Sequence, residues 1–156
     1  MSSSPTEVVR SLLANTSDLA TLETLIAPNA TYISLNYRNP TLQKILPYAG
    51  SHPTEGPLAI FNTFATVHKI WSQEAFEILA LFGSGGEDVA VFGRFTYRSR
   101  TLGKASTSPF SIWAKVVEGK VTYMQFMEDT LDTTSTFKVG GVGRYQVFEG
   151  QEEFEV

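Results

Sequence analysis

The clearest alternation of apolar and polar positions in the sequence runs from Ala105 to Thr130 and predicts two strands joined by a tight turn. In the first strand, every second residue in the range 110–116 is apolar, and the second strand ends at an acidic pair, Glu128-Asp129. β-Branched and aromatic residues at a period of two are typical of strands, and Glu118-Gly119 between the two runs indicates a hairpin. Both faces of this hairpin are largely apolar, so we expect both of them to be covered.

Apolar residues at helical spacing predict three helices in the first half of the chain. The segment Ser4-Pro5-Thr6-Glu7 predicts the start of the first helix, because serine caps, proline suits the first helical position and glutamate completes a capping box. The second helix begins after a cap at Ser17 or Asp18 and ends at Pro28-Asn29. The third helix occupies about residues 57–71.

Further strands are predicted at residues 30–35, 75–82 and 89–100, and with the hairpin the last two form a meander. Residues 36–57, before the third helix, are rich in Pro, Asn, Gly and Ser and predict a loop with a helical turn near 42–46. Loops of this length in compact domains are often lids or binding loops.

Helices followed by an antiparallel meander predict an α+β fold. We expect the three N-terminal helices to pack in the concave face of a curved, mostly antiparallel sheet, which makes a cone-shaped α+β barrel with an apolar interior. Residues 1–137 are predicted to form this single domain, with a helical turn at 132–137. Residues 138–156 are Gly-rich and then acidic, and they are predicted to be a C-terminal extension, either a tail or an edge strand.

Composition narrows the functional classes. A hydrophobic fraction of 42% with 12% aromatic residues indicates a large apolar core or pocket. The net charge of −4, without a Lys/Arg cluster, argues against a nucleic-acid surface. No apolar run approaches the roughly 18 residues of a membrane span.

With no cysteine and only two histidines, we expect no disulfide, thiolate or multi-His metal site and no cofactor. The N-terminus does not match a secretory signal, so we expect a cytoplasmic protein.

Three stretches resemble the nuclear-transport-factor-two-like superfamily, and within it the SnoaL-like polyketide cyclases: Leu46–Phe64, Val89–Lys104 and Pro109–Thr130. In the last stretch, a strand, a Gly-Lys turn and a second strand ending in an acidic pair are typical of the group. The resemblance implies a hydrophobic pocket and cofactor-free acid/base chemistry on a polyketide-like or enolisable substrate. The superfamily also includes isomerases, dehydratases, epoxide hydrolases and non-catalytic binding proteins, so the fold alone does not decide the function.

The sequence departs from two patterns of that superfamily. Ile112 stands at the strand position where many relatives have a histidine. Epoxide hydrolases of the superfamily use an Asp-Arg-Asp set; Arg94 matches its arginine, but Thr96 and Phe126 occupy the positions of the two carboxylates. These departures argue against epoxide hydrolysis and leave other acid/base reactions open.

Four residues are candidates for catalysis: Asp129, Glu128, Arg94 and His52. Glu128 is expected to face the pocket, where burial raises the pKa of a carboxyl and suits it to general acid/base work. Alternatively, Asp129 caps the following helical turn and Glu128 lies at a solvated rim. Arg94 is expected on the inner face, where it binds a substrate carboxylate or enolate or pairs with Glu128. His52 lies in the long loop as a candidate base or as a solvated side chain.

The candidates for substrate binding are mostly large apolar or aromatic residues. The tyrosines among them supply phenolic hydrogen bonds to a carbonyl oxygen, and the histidine lies on the third helix at helical spacing from other members. If the cone is filled, the same residues are ordinary core. They are Tyr32, Tyr48, Phe64, His68, Trp71, Phe110, Ile112, Met124 and Phe126.

Two functions therefore stay open. One is an enzyme in which Glu128 or Asp129 moves a proton of a hydrophobic small molecule held in the cone. The other is a non-catalytic homodimer of the same fold that binds a ligand or another protein. In both cases we expect dimerisation, because the outer sheet face is too apolar to face water. The residues expected on that face are Phe95, Tyr97, Trp113, Tyr123, Gln125 and Met127.

Overall fold

The computed structural model describes residues 3–156, and its main body is a curved six-stranded sheet with helices packed against it. The helices are α1 (Pro5–Ala14), α2 (Leu19–Leu25), α3 (Pro40–Ile45), α4 (Pro57–Ile70) and α5 (Thr130–Ser135). The strands are β1 (Ile26–Ser34), β2 (Gly50–His52), β3 (Trp71–Gly83), β4 (Asp88–Ser99), β5 (Ala105–Val117), β6 (Lys120–Glu128), β7 (Arg144–Tyr145) and β8 (Phe154–Glu155). The predicted α+β class and its curved sheet are confirmed.

The order of strands in the main sheet is β2-β1-β6-β5-β4-β3. Neighbouring strands are antiparallel except β1 and β6, which run parallel. The sheet is not closed, because β2 and β3 remain at its two edges. Helix α1 crosses β3, β4, β5 and β6, while α4 contacts β1 and β3. The helices therefore cover one face of the sheet, and the shared core lies between them and the strands.

Side-chain caps at Ser4 and Asp18 start α1 and α2 where the sequence predicts. The Ser4 hydroxyl accepts from the Glu7 backbone N–H at 3.3 Å, and the Ser4 N–H donates to the Glu7 carboxylate at 2.8 Å. The second helix is shorter than predicted, because Ile26 already begins β1 and pairs with Val121 of β6. Before α4, Gly56 has a φ of +65°, and a Cβ there would lie 2.3 Å from the Pro28 carbonyl oxygen. Only glycine fits this crossing of two chain segments.

The inner face of β5 is the one that its alternation predicts, since Phe110, Ile112, Ala114 and Val116 are all buried. In β6 the period-two alternation breaks near the hairpin. The register shifts between Lys115 and Val116, so that Val121 and Met124, three positions apart, are both buried. An extra residue in one strand of an antiparallel pair reverses the side-chain phase beyond it.

The faces of β4 are opposite to those expected. Phe95 and Tyr97, expected on the outer face, are buried inside, at 1% and 5% exposure. Arg94, expected inside, is on the outer face with Phe92. The physical reason lies at Gly93, where a Cβ would come within 2.3 Å of the Phe110 ring. The glycine leaves room for the Phe110 ring on the inner face.

The long loop before α4 holds α3 and β2, and α3 corresponds to the predicted helical turn. Near the C-terminus, β7 and β8 pair with each other in a separate two-stranded sheet rather than with an edge of the main sheet. Among residues 3–156, no helix combines the length and apolar character needed to cross a membrane.

Candidate active site

A small cavity lies between α4 and the inner faces of β1, β4 and β6. The volume that the centre of a water molecule can occupy inside it is about 20 Å³, which is enough for one ordered water. Polar, aromatic and aliphatic side chains line it. The lining residues are Tyr32, Ser34, Leu35, Tyr48, Thr63, Phe64, Val67, Phe95, Tyr97, Phe126 and Glu128.

Glu128 is the ionisable residue of this lining with the most unusual environment. It ends β6, opposite Phe110 of β5. Its Oε2 atom is fully buried and has no hydrogen-bond partner. The rest of the side chain is half-buried and borders an open groove beside Pro109 and Met127. One oxygen of the carboxyl group is therefore sealed inside the protein.

Burial raises the pKa of Glu128 to about 8, because the charged carboxylate loses its hydration. The negative charge of Asp129 raises this pKa further, while the nearby Thr133 hydroxyl lowers it part of the way back. The Thr133 hydroxyl is itself buried and forms no hydrogen bond of normal geometry. At neutral pH Glu128 is mainly the uncharged acid.

Three tyrosines surround this carboxyl group. Burial raises the pKa of Tyr32, Tyr48 and Tyr97, and the charge of Glu128 raises each of them further. Their hydroxyls therefore keep their protons and remain hydrogen-bond donors. The Tyr48 hydroxyl is buried without a partner, and the buried Ser34 hydroxyl lies near the Tyr32 hydroxyl but forms no hydrogen bond of normal geometry. Buried polar atoms without partners are rare and costly, so this group of them is suited to binding a polar atom of a ligand or an ordered water.

Aromatic contacts hold the cavity wall in place. The Phe126 ring stacks on Phe110 with ring centres 5.3 Å apart and meets Phe64 edge-on at 6.4 Å. Trp71 packs against Tyr97 at 5.5 Å and Tyr48 at 6.4 Å. The Trp71 indole N–H donates to the Thr136 hydroxyl at 3.1 Å.

Five of the candidate residues line the cavity: Tyr32, Tyr48, Phe64, Phe126 and Glu128. Four more are buried in the core outside its lining, namely Trp71, Phe110, Ile112 and Met124. These four contact the lining or the strands that carry it and are not positioned to touch a molecule in the cavity. His68 was expected to reach the cavity from the third helix, but its side chain is exposed. Val67, one residue earlier, takes the inward position.

Asp129 and His52 lie close to the cavity but outside its lining. The Asp129 carboxylate accepts from the Asp132 backbone N–H at 3.1 Å and caps α5. The His52 Nε2 atom lies 2.8 Å from the Tyr48 carbonyl oxygen and, because a carbonyl only accepts, donates to it. The His52 Nδ1 atom is 3.3 Å from the Glu55 carboxylate. The histidine thus fixes the backbone of a lining residue.

Arg94 is separated from Glu128 by the sheet. Its guanidinium forms an ion pair with Glu77 of the neighbouring strand, and both side chains are about half exposed. The expected pairing of Arg94 with Glu128 or with a molecule in the cavity is therefore wrong. Among residues 3–156, no three His, Asp or Glu side chains are grouped so that they could hold a metal ion.

Six lining residues were not predicted: Ser34, Leu35, Thr63, Val67, Phe95 and Tyr97. For Phe95 and Tyr97 in β4, the charge pattern of the strand does indicate an inward position. Asp88, Arg94 and Arg98 all fall on one face of this strand, so the opposite face, with Phe95 and Tyr97, is the apolar one. Ser34 and Thr63 carry no comparable signal, because serine and threonine are mostly exposed and an isolated hydroxyl residue does not indicate a cavity.

Two curated fungal proteins are similar to this chain. Patulin synthesis protein F of Aspergillus clavatus is 43% identical over 121 residues, covering 77% of this chain and 61% of the relative. Patulin biosynthesis cluster protein F of Penicillium expansum is 41% identical over 121 residues, covering 77% of this chain and 60% of the relative. The match thus spans about three fifths of the length of these relatives. No protein-family model matches the sequence.

Solved structures settle the architecture. An NTF2-like protein from Burkholderia thailandensis superposes with a TM-score of 0.71 at 22% identity, covering 87% of this chain and 98% of that protein. The chain has the NTF2-like fold. Other proteins with this architecture include TerC, crystallised with polyporic acid (TM-score 0.67, 19% identity, 85% and 98% covered). IdmH from Streptomyces antibioticus, a candidate polyketide cyclase, has a TM-score of 0.65 at 13% identity, with 86% and 99% covered. The resemblance drawn from the sequence is confirmed for the NTF2-like fold.

Proposed function

We propose that this NTF2-like chain is a cytoplasmic, cofactor-free enzyme that moves a proton of an enolisable, polyketide-derived small molecule, as a cyclase or isomerase does. The observation that carries the proposal is the Glu128 carboxyl group. One of its oxygens is buried at the cavity without a hydrogen-bond partner, and its pKa is raised to about 8. A group that titrates near the working pH is the most effective general acid or base.

The chemistry follows from the arrangement of the donors. The Glu128 carboxylate removes a proton from the carbon next to a substrate carbonyl, and the electron pair moves onto the carbonyl oxygen to form an enolate. The Tyr48 hydroxyl, buried and without a partner, donates a hydrogen bond to that oxygen. In an isomerisation, Glu128 returns the proton to a different carbon. In a cyclisation, the enolate carbon attacks a second carbonyl, and Glu128 gives its proton to the oxygen of that carbonyl.

The comparisons support this class of substrate. Two relatives at 43% and 41% identity are named for patulin synthesis. Among proteins of the same fold, one was crystallised with polyporic acid and another is a candidate polyketide cyclase. Together with the apolar and phenolic lining, these names favour an oxygenated, partly aromatic or enolisable compound.

A second candidate function is a non-catalytic ligand-binding or protein-interaction module of the same fold. The observation that favours it is the size of the cavity, about 20 Å³. Binding sites for small molecules are usually about 300 Å³ or larger. In this alternative the carboxyl group and the tyrosines stabilise a bound water or a small ligand without reaction.

Exchange of carbon-bound protons for deuterium separates the two functions. The test compound is 2-tetralone, a bicyclic enolisable ketone, and its exchange in D₂O is to be followed by NMR. The native protein is expected to accelerate the exchange over buffer, and Glu128→Gln to lower this acceleration by about 100-fold or more. The control Glu77→Gln removes a carboxylate on the outer face and is expected to change the rate by less than about twofold, since surface substitutions have small effects.

The pH dependence is a second readout of the same experiment. Because Glu128 must be ionised to act as the base, kcat/KM is expected to rise with pH and to level off above about 8. No acceleration by the native protein, or equal rates for the native protein and Glu128→Gln, would contradict the enzymatic function and favour the binding module.

A further inference from the structure

A surface groove adjoins the cavity and shares part of its wall. The groove has a volume of about 240 Å³. Tyr48 and Thr63 line both the groove and the cavity, so these two side chains separate the spaces. The remaining lining residues of the groove are Pro47, His52, Glu55, Ala59, Asn62 and Thr66.

The cavity beside Glu128 is too small to hold a whole substrate molecule, so the substrate has to extend into an adjoining space. The space of about 20 Å³ beside Glu128 accommodates a single carbonyl group or a water, not a ring system. A larger cleft of about 540 Å³ lies between α5 and the C-terminal segment, but it shares no lining residue with the cavity. A groove of about 360 Å³ beside Pro109 shares Glu128 with the cavity, but Phe92, Ser111 and Met127 in its lining belong to the outer face of the sheet. The groove behind Tyr48 is the adjoining space on the inner side, next to α4.

Tyr48 is the part of this wall that can turn without breaking a hydrogen bond, because its hydroxyl has no partner. Its ring is buried and meets Trp71 edge-on at 6.4 Å, so rotation has to displace this packing contact. Its backbone is held, because the carbonyl oxygen accepts from His52 Nε2 at 2.8 Å. The neighbouring Ala49 carbonyl accepts from the Gln43 side-chain amide, also at 2.8 Å. By contrast, the Thr63 hydroxyl donates to the Ala59 carbonyl of its own helix at 2.8 Å and stays in place.

We infer that the groove is the outer subsite of the substrate site, and that Tyr48 is the movable wall between it and the cavity at Glu128. This inference rests on the proposed function. The reacting carbonyl occupies the cavity, and the remainder of the substrate lies in the groove. There the Glu55 carboxylate accepts hydrogen bonds, and the Asn62 amide both donates and accepts. The negative charge of Glu55 disfavours an anionic group, so the substrate class is an uncharged, hydroxylated ketone.

The absence of cysteine allows a direct test by blocking the groove. Asn62→Cys places a single thiol in the groove, and Ala65→Cys places one on the exposed side of the same helix as a matched control. Both proteins are labelled with N-phenylmaleimide. The probe is 2-naphthol, a planar, fluorescent analogue of the enol of 2-tetralone. The label at 62 is expected to weaken 2-naphthol binding by roughly tenfold or more because it fills the groove, and the label at 65 to leave Kd within about twofold.

A second variant tests the wall itself. Tyr48→Ala joins the two spaces and is expected to raise the association rate of 2-naphthol, whereas Tyr48→Phe keeps the wall and leaves that rate within about twofold. Unchanged binding in the labelled Asn62→Cys protein, equal losses in both labelled proteins, or no binding to the unlabelled protein would overturn the subsite. Binding that depends on the groove, without any catalysed exchange, would instead retain the subsite and refute the enzymatic function.

Discussion

At the scale of single residues, the proton on Glu128 links folding to pH. The unfolded chain releases this proton near its ordinary pKa of 4.5, but the folded protein holds it up to about pH 8. Between these values the folded state binds more protons than the unfolded state, so the free energy of unfolding falls as pH rises. Above about pH 8 the carboxylate is charged in both states and the loss is complete.

We therefore expect Glu128→Gln to change the pH dependence of stability. Near pH 5 the native protein and the variant should unfold at similar urea concentrations. Near pH 9 the variant should be more stable by roughly 2–3 kcal/mol, a value reduced from the full pKa shift because the side chain is partly solvated. Urea unfolding from pH 5 to 9 measures the difference. If the difference in unfolding free energy between the native protein and Glu128→Gln stays constant from pH 5 to 9, the burial of Glu128 does not control the pH dependence of stability.

At the scale of elements, α5 depends on Asp129, which was expected either to catalyse or to cap. The Asp129 carboxylate accepts from the Asp132 N–H, and the Asp129 N–H donates to the Ser108 hydroxyl at 2.9 Å. The residue therefore joins the start of α5 to β5, next to Glu128. Its charge also adds to the raised pKa of that neighbour.

Asp129→Ala and Asp129→Asn separate the cap from the charge. At pH 6, where Glu128 is protonated, the alanine variant should lose about 1 kcal/mol of unfolding free energy, and the asparagine variant less than about 0.5 kcal/mol because asparagine also caps. Both variants should lower the pKa of Glu128, since both remove the adjacent charge. Urea unfolding and NMR titration of the carboxyl group measure the two effects. Equal stability of the alanine variant and the native protein would contradict the capping role.

Strand β4 depends on Gly93, which accommodates the Phe110 ring. A Cβ at this position would lie 2.3 Å from the ring and 2.3 Å from the Glu77 carbonyl oxygen. We expect Gly93→Ala to destabilise the protein by roughly 2–3 kcal/mol through overpacking. Gly86→Ala is the control, because its Cβ would meet only the Ser84 hydroxyl at 3.8 Å. Thermal unfolding of both variants tests this, and similar losses in the two would argue against overpacking as the cause.

The same two strands show what the sequence can and cannot predict. The inner face of β5 is readable because its apolar residues alternate without interruption from Phe110 to Val116. In β4 both faces carry aromatic residues, and Phe92 on the outer face resembles Phe95 on the inner one in chemistry. The charged residues Asp88, Arg94 and Arg98 indicate the orientation of β4 only if Arg94 is expected to form its ion pair at the surface. The sequence reading instead expected that ion pair in the pocket. The position of Glu128 was predicted, whereas Tyr97 was missed through this choice.

At the scale of the whole molecule, the outer sheet face still exposes large apolar side chains. Phe92 is 48% exposed and Trp113 45%. Phe92 stacks with Phe82 at 6.0 Å, and a shallow groove beside it is bordered by Trp113, Gln125 and Met127. The face differs from the expected one in lacking Phe95 and Tyr97. We propose that a second copy of the chain covers it, because an apolar patch of this kind is unfavourable in water.

The prediction for the assembly is a dimer at micromolar concentration in sedimentation velocity. Phe92→Asp should shift it to monomer, because burying an unpaired charge in an interface is costly. Val139→Asp is the matched control, since Val139 is 88% exposed and belongs to the C-terminal segment, not to a strand of the sheet. A native protein that sediments as a monomer would refute the dimer, and a Phe92→Asp dimer would place the interface elsewhere.

The parallel pairing of β1 with β6 has a consequence for biosynthesis. Tyr32 of β1 lies beside Met124 of β6. The wall of the cavity therefore joins two segments that are far apart in the sequence. During translation, β1 has no partner on this side until the chain has been made almost to Glu128. Folds dominated by such distant pairings form slowly and expose unpaired strand edges meanwhile. The buried carboxyl group therefore enters its unusual environment only in the last steps of folding, and nascent chains that stop short of β6 cannot form it at all.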